Sequence, residues 1–441
     1  MTDREWGFGH EDPSLFAPEN VDTDQWMRVL KSGGMRGVIL TAKHHDGFCL
    51  WPSALTDHTV ASSPWRNGRG DLVRETADAA ARHGLAFGVY LSPWDRTEAT
   101  YGTGTPYDDF FLGQLTELLT NYGPISTVWL DGANGEGADG RVQQYDWLRY
   151  YELIRHHQPD AVISVCGPDV RWCGNEAGHT RADEWSVVPA SLRDVERIAS
   201  RSQSTDDSTF SRLVRSDEED LGSRAMLEAV QDHLVWYPAE VNTSIRPGWF
   251  HHPAEDSEVR SADELFEIYR RSVGGNSGLL LNVPPDRTGR ITPIDEAVLA
   301  ELGQHIVGID ARDVAARATV HSSRGPEALP QKDAVWHADE GESLTLRWSD
   351  PLQIEGLVLE EDVEYGQQID GLTIEVEDAH GVGDVLASVG SIGYRRIIDT
   401  DLRLVSAIRI RIDSARGRVR LSRVGVLAPV SDAQERRNQG S

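Results

Sequence analysis

Cysteine, methionine and lysine are all scarce in this chain. Its 441 residues include three Cys and four Met, and lysine stands only at Lys31, Lys43 and Lys332. The cysteines, Cys49, Cys166 and Cys173, are odd in number and sparse for this length. No disulfide framework is implied. No apolar run approaches the roughly 18 residues needed to span a bilayer. The polar N-terminus does not read as a signal peptide, so the chain as written reads as cytoplasmic. Positive charge is short as well: 43 Lys and Arg face 71 Asp and Glu, a formal net charge of -28. With no basic stripe against that field, nucleic acid and membrane surfaces are excluded as partners. A neutral polar ligand such as a sugar meets little penalty there.

What is present is core-forming material. Hydrophobic residues make up 39% of the chain and Trp occurs 13 times, enough for a large core in two or three domains. Residues 1–20, with Trp6, Phe8, Leu15 and Phe16, show no period and read as a loop with buried aromatics. Asp22 N-caps a helix over Thr23–Ser32. Strands follow at Gly37–Ala42, Phe87–Leu91, Ser126–Leu130, Ala161–Val165, Asp183–Val188, Leu234–Ala239 and Gly278–Val283. Between them lie helices at Leu72–His83, Asp108–Asn121, Tyr145–His157 and Ala262–Val273, with a closing helix at Asp295–Gly303. This alternation predicts βα units and a parallel sheet of the (β/α)8 (TIM-like) barrel type. Seven strands are countable where a closed barrel needs eight, so the first strand is expected to be missing. Residues 201–223 are rich in Ser, Asp and Arg and read as a mobile insertion.

From about Val314 short alternating segments replace the helical period, which predicts an antiparallel β-sandwich. The expected division is a barrel domain over 1–310, a sandwich over 311–430 and a disordered tail over 431–441.

The predicted strands end in polar residues: His44, His45, Asp46, Asp95, Asp131, Asp169 and Glu240. Such clustering at the carboxyl ends of parallel strands is what a barrel enzyme requires. Two carboxylates on different rim loops suit cleavage of a glycosidic bond, one attacking the sugar carbon and one protonating the leaving oxygen. Asp131, at the end of a strand, fits the ionised partner. Glu176, close to Trp172 and Ala177, fits the proton donor, although a solvated loop acid reads the same way. Trp51, Trp65, Trp94, Trp172, Trp185, Trp236 and Trp249 fall near the rim, where aromatic faces stack on sugars. His44-His45 also invites a metal reading with Asp131. Adjacent strand residues face opposite ways, however, so direct hydroxyl binding by His44 and His45 is preferred over a metal.

In order along the chain, Ala42-Lys43-His44-His45-Asp46-Gly47-Phe48 with Trp51-Pro52-Ser53, Gly88 to Asp95, Trp129-Leu130-Asp131-Gly132-Ala133, Gly174-Asn175-Glu176-Ala177-Gly178 and Leu279 to Pro285 resemble the α-L-fucosidases of glycoside hydrolase family 29. The Asn175 to Gly178 segment resembles the branch acting on α-1,3/1,4-linked fucose. The resemblance implies a retaining exo-α-L-fucosidase acting on fucosylated oligosaccharides without a cofactor. In it Asp131 is the nucleophile and Glu176 the general acid/base, His44 and His45 bind fucose hydroxyls, and Trp51 lines the pocket. Arg246 and Trp249 look like a further rim contact, and Asp183 and Glu240 stand behind these or against the leaving group. Oligomeric state is not legible. Family members begin their barrel with a strand that would precede Met1, so a weakly active sugar-binding relic is the alternative reading, and a secreted form would follow if a leader preceded that strand.

Overall fold

Two aspartates show how local chemistry sets the helices. The Asp22 carboxylate accepts from the Gln25 N–H at 2.8 Å and opens α1 (Thr23–Ser32). Asp71 accepts from the Arg74 N–H at 2.9 Å and opens α2 (Leu72–His83). Gly84 closes α2 at φ 68°, a left-handed turn that glycine adopts without a Cβ penalty. A computed structural model describes residues 11–202, 221–230, 233–331, 334–378, 381 and 383–430. The Trp6 and Phe8 reading, most of the 201–223 insertion and the tail lie outside the described residues.

Among the described residues seven parallel strands pair in chain order: β1 (Gly37–Lys43), β2 (Ala86–Leu91), β3 (Thr127–Leu130), β4 (Val162–Val165), β5 (Val170–Trp172), β6 (Ala239–Ser244) and β7 (Ser277–Asn282). Outside them pack α1, α2, α3 (Thr105–Asn121), α4 (Trp147–His157), α5 (Val195–Ser202), α7 (Ala262–Ser272) and α8 (Pro293–Ala311), while α6 (Arg224–Val230) lies against the Val187–Pro189 strand. The sheet is strongly curled. His44 follows β1 and Phe250 follows β6, five strand spacings or about 24 Å apart on a flat sheet. Their ring centroids nevertheless lie 5.2 Å apart.

Among the described residues β1 and β7 do not pair, so the sheet is a curled arc with two edges. The helical layer bridges that gap. Gln25 of α1 exchanges two hydrogen bonds with the Ile291 backbone, at 2.9 and 3.1 Å. The Trp26 indole donates to the Gly289 carbonyl at 2.9 Å. α8 then lies so close to α1 that a Cβ on Gly303 would collide with the Ser32 carbonyl.

Two strand expectations need correcting. The segments expected at Asp183–Val188 and Leu234–Ala239 are not in the barrel sheet. Val187–Pro189 and Leu234–Trp236 instead form a separate antiparallel pair, the side hairpin. Pro238 has no N–H to donate and breaks the second segment, so pairing restarts at Ala239. The barrel's fifth strand is Val170–Trp172, three residues within a stretch read as loop. Three residues are too few to show a period. Glu240 is therefore the second residue of β6 and not its end.

Beyond α8 the chain is antiparallel. Among the described residues eight strands bond into one sheet, joined by the long strands Ser343–Glu361 and Arg396–Ala415. Their shared ladder shifts register between Arg347 and Leu352 and again between Ile354 and Gly356. Such irregularities bend a strand, and the five short segments expected from sequence (Ser343–Trp348, Ile354–Glu360, Leu372–Glu377, Ile408–Asp413 and Arg418–Val426) are pieces of these two strands and their neighbours. The sheet surrounds a core that includes Trp336, Leu346, Leu357, Ile374, Ile410 and Val424.

Candidate active site

Asp131 sits one residue beyond β3, whose backbone is bonded to β2 on one side and to β4 on the other. The sheet thus fixes its Cα. Two groups hold its carboxylate, and a third lies close by. The Ala133 N–H donates to Oδ1 at 2.8 Å, the Tyr90 hydroxyl donates to Oδ2 at 2.6 Å, and His45 Nε2 lies 3.8 Å from Oδ2. The side chain keeps 22% of its surface exposed, enough to meet a ligand.

The histidines do not point to opposite faces. The strand ends at Lys43, and a turn over residues 44–47 closes through Gly47 N–H to the His44 carbonyl at 3.0 Å. Gly47 takes φ 77°. The turn leaves the two imidazoles 4.0 Å apart. Burial pushes His45 down to about 3, helped by the nearby charges of Arg96 and Lys43. Burial and His45 also hold His44 well below the usual range. Both rings are neutral at physiological pH. The Ser92 hydroxyl spends its proton on the Trp94 carbonyl at 2.7 Å. His45 Nδ1, 2.7 Å from that hydroxyl, must therefore be the donor. Nε2 is left as an acceptor beside Asp131, suited to a hydroxyl donor. Among the described residues no three His, Cys, Asp or Glu side chains converge to hold a metal ion.

Aromatic rings carry the site across the curled interior. Tyr90 stacks on Trp129 at 5.3 Å, and the Trp129 indole donates to Glu240 Oε1 at 2.7 Å. Burial lifts Glu240 to about 7, opposed by that indole bond. The Trp172 indole donates to Asn242 at 2.7 Å, which turns this half-buried ring along the inner wall between β5 and β6.

Glu176 follows β5 in a loop tied by the fully buried Asn175. Asn175 Oδ1 accepts from the N–H groups of Ala177 and His179 at 3.0 and 3.1 Å, and its Nδ2 donates to the His179 carbonyl at 3.0 Å. Gly174 and Gly178 bracket the loop at φ 100° and 87°. Glu176 is half-buried at its crest.

Several other candidates serve the framework. Trp51 is 1% exposed and donates to Glu117 on α3 at 2.8 Å, so its ring has no face to offer a sugar and it is not a pocket wall. Arg246 is 0% exposed. Its guanidinium is engaged by Asp295 at 3.0 Å and Asp256 at 2.8 Å, a structural clamp and not a rim contact. Asp95 is locked to the buried Lys43 ammonium at 2.8 Å. Asp169 accepts from the Ile163 N–H at 2.8 Å. Trp94 is buried against His45 at 4.7 Å and backs that ring. Trp249 is half-buried, and its carbonyl accepts from Asn282 at 2.9 Å. The next residue, Phe250, is the one that touches His44.

Tyr90, Ser92, Trp129 and Phe250 were not singled out from sequence. Tyr90 and Ser92 alternate with the buried Val89 and Leu91, and that period was the available signal. Nothing in the sequence pairs Trp129 with Glu240, 111 residues away.

A rim carboxylate pinned at a strand end beside two neutral histidines, and joined through the stacked Tyr90 and Trp129 rings to Glu240 inside a curled parallel sheet, is the arrangement of a glycoside hydrolase. Comparison gives the family. The Alpha-L-fucosidase family model matches residues 4–308. The chain is 38% identical over 450 residues to Alpha-L-fucosidase 1 of Arabidopsis thaliana, covering 97% of this chain and 82% of that one. A glycoside hydrolase 29 family member from an unknown rumen bacterium superimposes with a TM-score of 0.78 at 35% identity, over 98% of this chain and 74% of that one. A Ruminococcus gnavus family 29 fucosidase in complex with fucose gives a TM-score of 0.79 at 26% identity, over 97% and 90% of the two chains. The chain belongs to the α-L-fucosidases of glycoside hydrolase family 29.

Proposed function

We propose that this fucosidase is a retaining exo-enzyme in which Asp131 is the nucleophile and Glu176 the general acid/base. The observation that carries the reading is the Asp131 carboxylate, held at one oxygen by a backbone N–H and at the other by Tyr90 while still partly exposed. Donors on both oxygens fix its aim. In the first step an Asp131 oxygen bonds the fucose anomeric carbon as the glycosidic C–O bond breaks, and Glu176 gives its proton to the leaving oxygen. In the second, Glu176 takes a proton from water, whose oxygen replaces Asp131. His44 and His45, both neutral, receive sugar hydroxyls.

The substrate class is fucosylated oligosaccharide, bound through its terminal fucose. Preference for α-1,3/1,4 linkages rests on the Asn175-tied loop and its resemblance to that branch. Initial rates on α-1,2-, α-1,3-, α-1,4- and α-1,6-linked fucosyl disaccharides test it, and a faster α-1,2 or α-1,6 reaction would overturn it. The mechanism is tested by proton NMR of the first-formed sugar: α-L-fucose is expected, and β-L-fucose would contradict retention. Glu240 carries a second reading for the acid, because burial lifts it to about 7, where a proton donor works well. Loss of turnover on unactivated substrates in Glu240→Gln but not in Glu176→Gln would favour it.

A further inference from the structure

The chain between Glu176 and the side hairpin has partners in both domains. Arg181, five residues beyond Glu176, donates to Glu184 Oε2 at 3.1 Å. The other Glu184 oxygen takes the guanidinium of Arg171 on β5, and Glu184 is 0% exposed. That pairing ties the acid-bearing loop to the barrel wall. Further ties come from the C-terminal sheet. The Ser391 hydroxyl donates to the Glu184 carbonyl at 3.2 Å, and Gln367 Oε1 accepts the Ser186 N–H at 2.9 Å. The Gly390 N–H donates to Asp183 at 3.1 Å, and Arg396 pairs with the same carboxylate at 3.4 Å.

Gln367, Gly390 and Ser391 lie in two turns that are braced against each other, and Arg396 opens the strand after the second. Glu361 accepts from Gly393 N–H at 2.8 Å through one oxygen, and from Gln368 and Ile369 N–H at 2.8 and 3.1 Å through the other. Asn276, just before β7, adds a third brace: it donates to the Glu184 carbonyl at 2.9 Å and accepts from Tyr394 N–H at 3.0 Å. Residues 183–186 are thus gripped from one side by β5 and from the other by a rigid pair of turns.

We propose that the C-terminal sheet is a positioning device for the acid/base, its turns at 367 and 390–396 fixing residues 183–186 and, through the Glu184–Arg181 pair, the aim of Glu176. The inference rests on the reading of Glu176 as the acid. Gln367, Ser391 and Arg396 are positioning residues: they need not touch substrate, and they act through the loop. A loop that drifts leaves Asp131 and the sugar contacts in place but weakens proton delivery. Activated leaving groups, which depart without a proton, are then spared.

The test is kcat/KM on aryl α-L-fucosides of graded leaving-group acidity, for the full chain and for Gln367→Met, Ser391→Ala and Glu176→Ala. In Gln367→Met the most activated substrate is expected to react within about twofold of the parent and the least activated to fall about tenfold or more, a fraction of what loss of general acid catalysis costs. Ser391→Ala, which loses one hydrogen bond, should shift the slope the same way by less, and it decides the matter where Gln367→Met does not fold. Equal losses on every substrate, or unchanged slopes in both variants beside a steep one in Glu176→Ala, would overturn the proposal. An unchanged slope in Glu176→Ala would instead overturn the acid assignment itself.

Discussion

The Tyr90 hydroxyl donates to Asp131 Oδ2 at 2.6 Å, reaching from the strand next to the one that delivers the carboxylate. Burial and the adjacent Asp131 charge raise the Tyr90 phenol well above its usual range, so it stays a donor. Tyr90→Phe removes that donor and little else. A hydrogen bond to a charged group is worth about 1.5–3 kcal/mol, so kcat/KM should fall about ten- to hundredfold as the carboxylate loses its aim, with the melting temperature lowered as well. Unchanged kcat/KM on an aryl fucoside would show that the bond does not aim the carboxylate.

Glu240 gives a pH signature. Burial lifts it from 4.5 to about 7 in the folded chain. Between those values the folded protein holds a proton that the unfolded chain has released. Its contribution to stability is therefore full below 4.5 and is lost as pH rises through about 7. Glu240→Gln copies the protonated form at every pH. The melting temperature of the variant minus that of the parent should be more positive near about pH 8 than near about pH 5. A difference that does not move between those values would show that Glu240 is ionised throughout.

Arg246 separates a clamp from a sugar contact. Its buried guanidinium neutralises the buried Asp295 carboxylate, and Asp256 completes the set. Arg246→Met strands Asp295, and removing one partner of a buried pair costs about 3–5 kcal/mol. Chemical denaturation should show that loss, with KM for fucosides nearly unchanged in the protein that remains folded. A raised KM with full stability would return Arg246 to the pocket.

Much of the barrel was legible because its signals are local. Asp22, Asp71 and Gly84 bound their helices where the sequence places them, and β1, β2 and β7 lie within a residue or two of expectation. Asp131 at a strand end was legible for the same reason. β5 was not, because three residues between Pro168-Asp169 and Cys173-Gly174 carry no period. The side hairpin was mistaken for barrel because Val187 and Leu234 begin apolar runs that pair only with each other. Trp51 and Arg246 were misplaced because residue type and position near a strand end cannot show which way a side chain turns. Glu117 and Asp295, the partners that turn them inward, are remote in sequence.

Trapping the covalent intermediate tests the central claim most directly. The enzyme would be treated with a 2-deoxy-2-fluoro-fucosyl fluoride, digested, and its peptides read by mass spectrometry. The fluorosugar is expected as an ester on Asp131 in the peptide that also carries Trp129 and Gly132. Label on any other carboxylate, or steady turnover by an Asp131→Gly variant, would contradict the assignment.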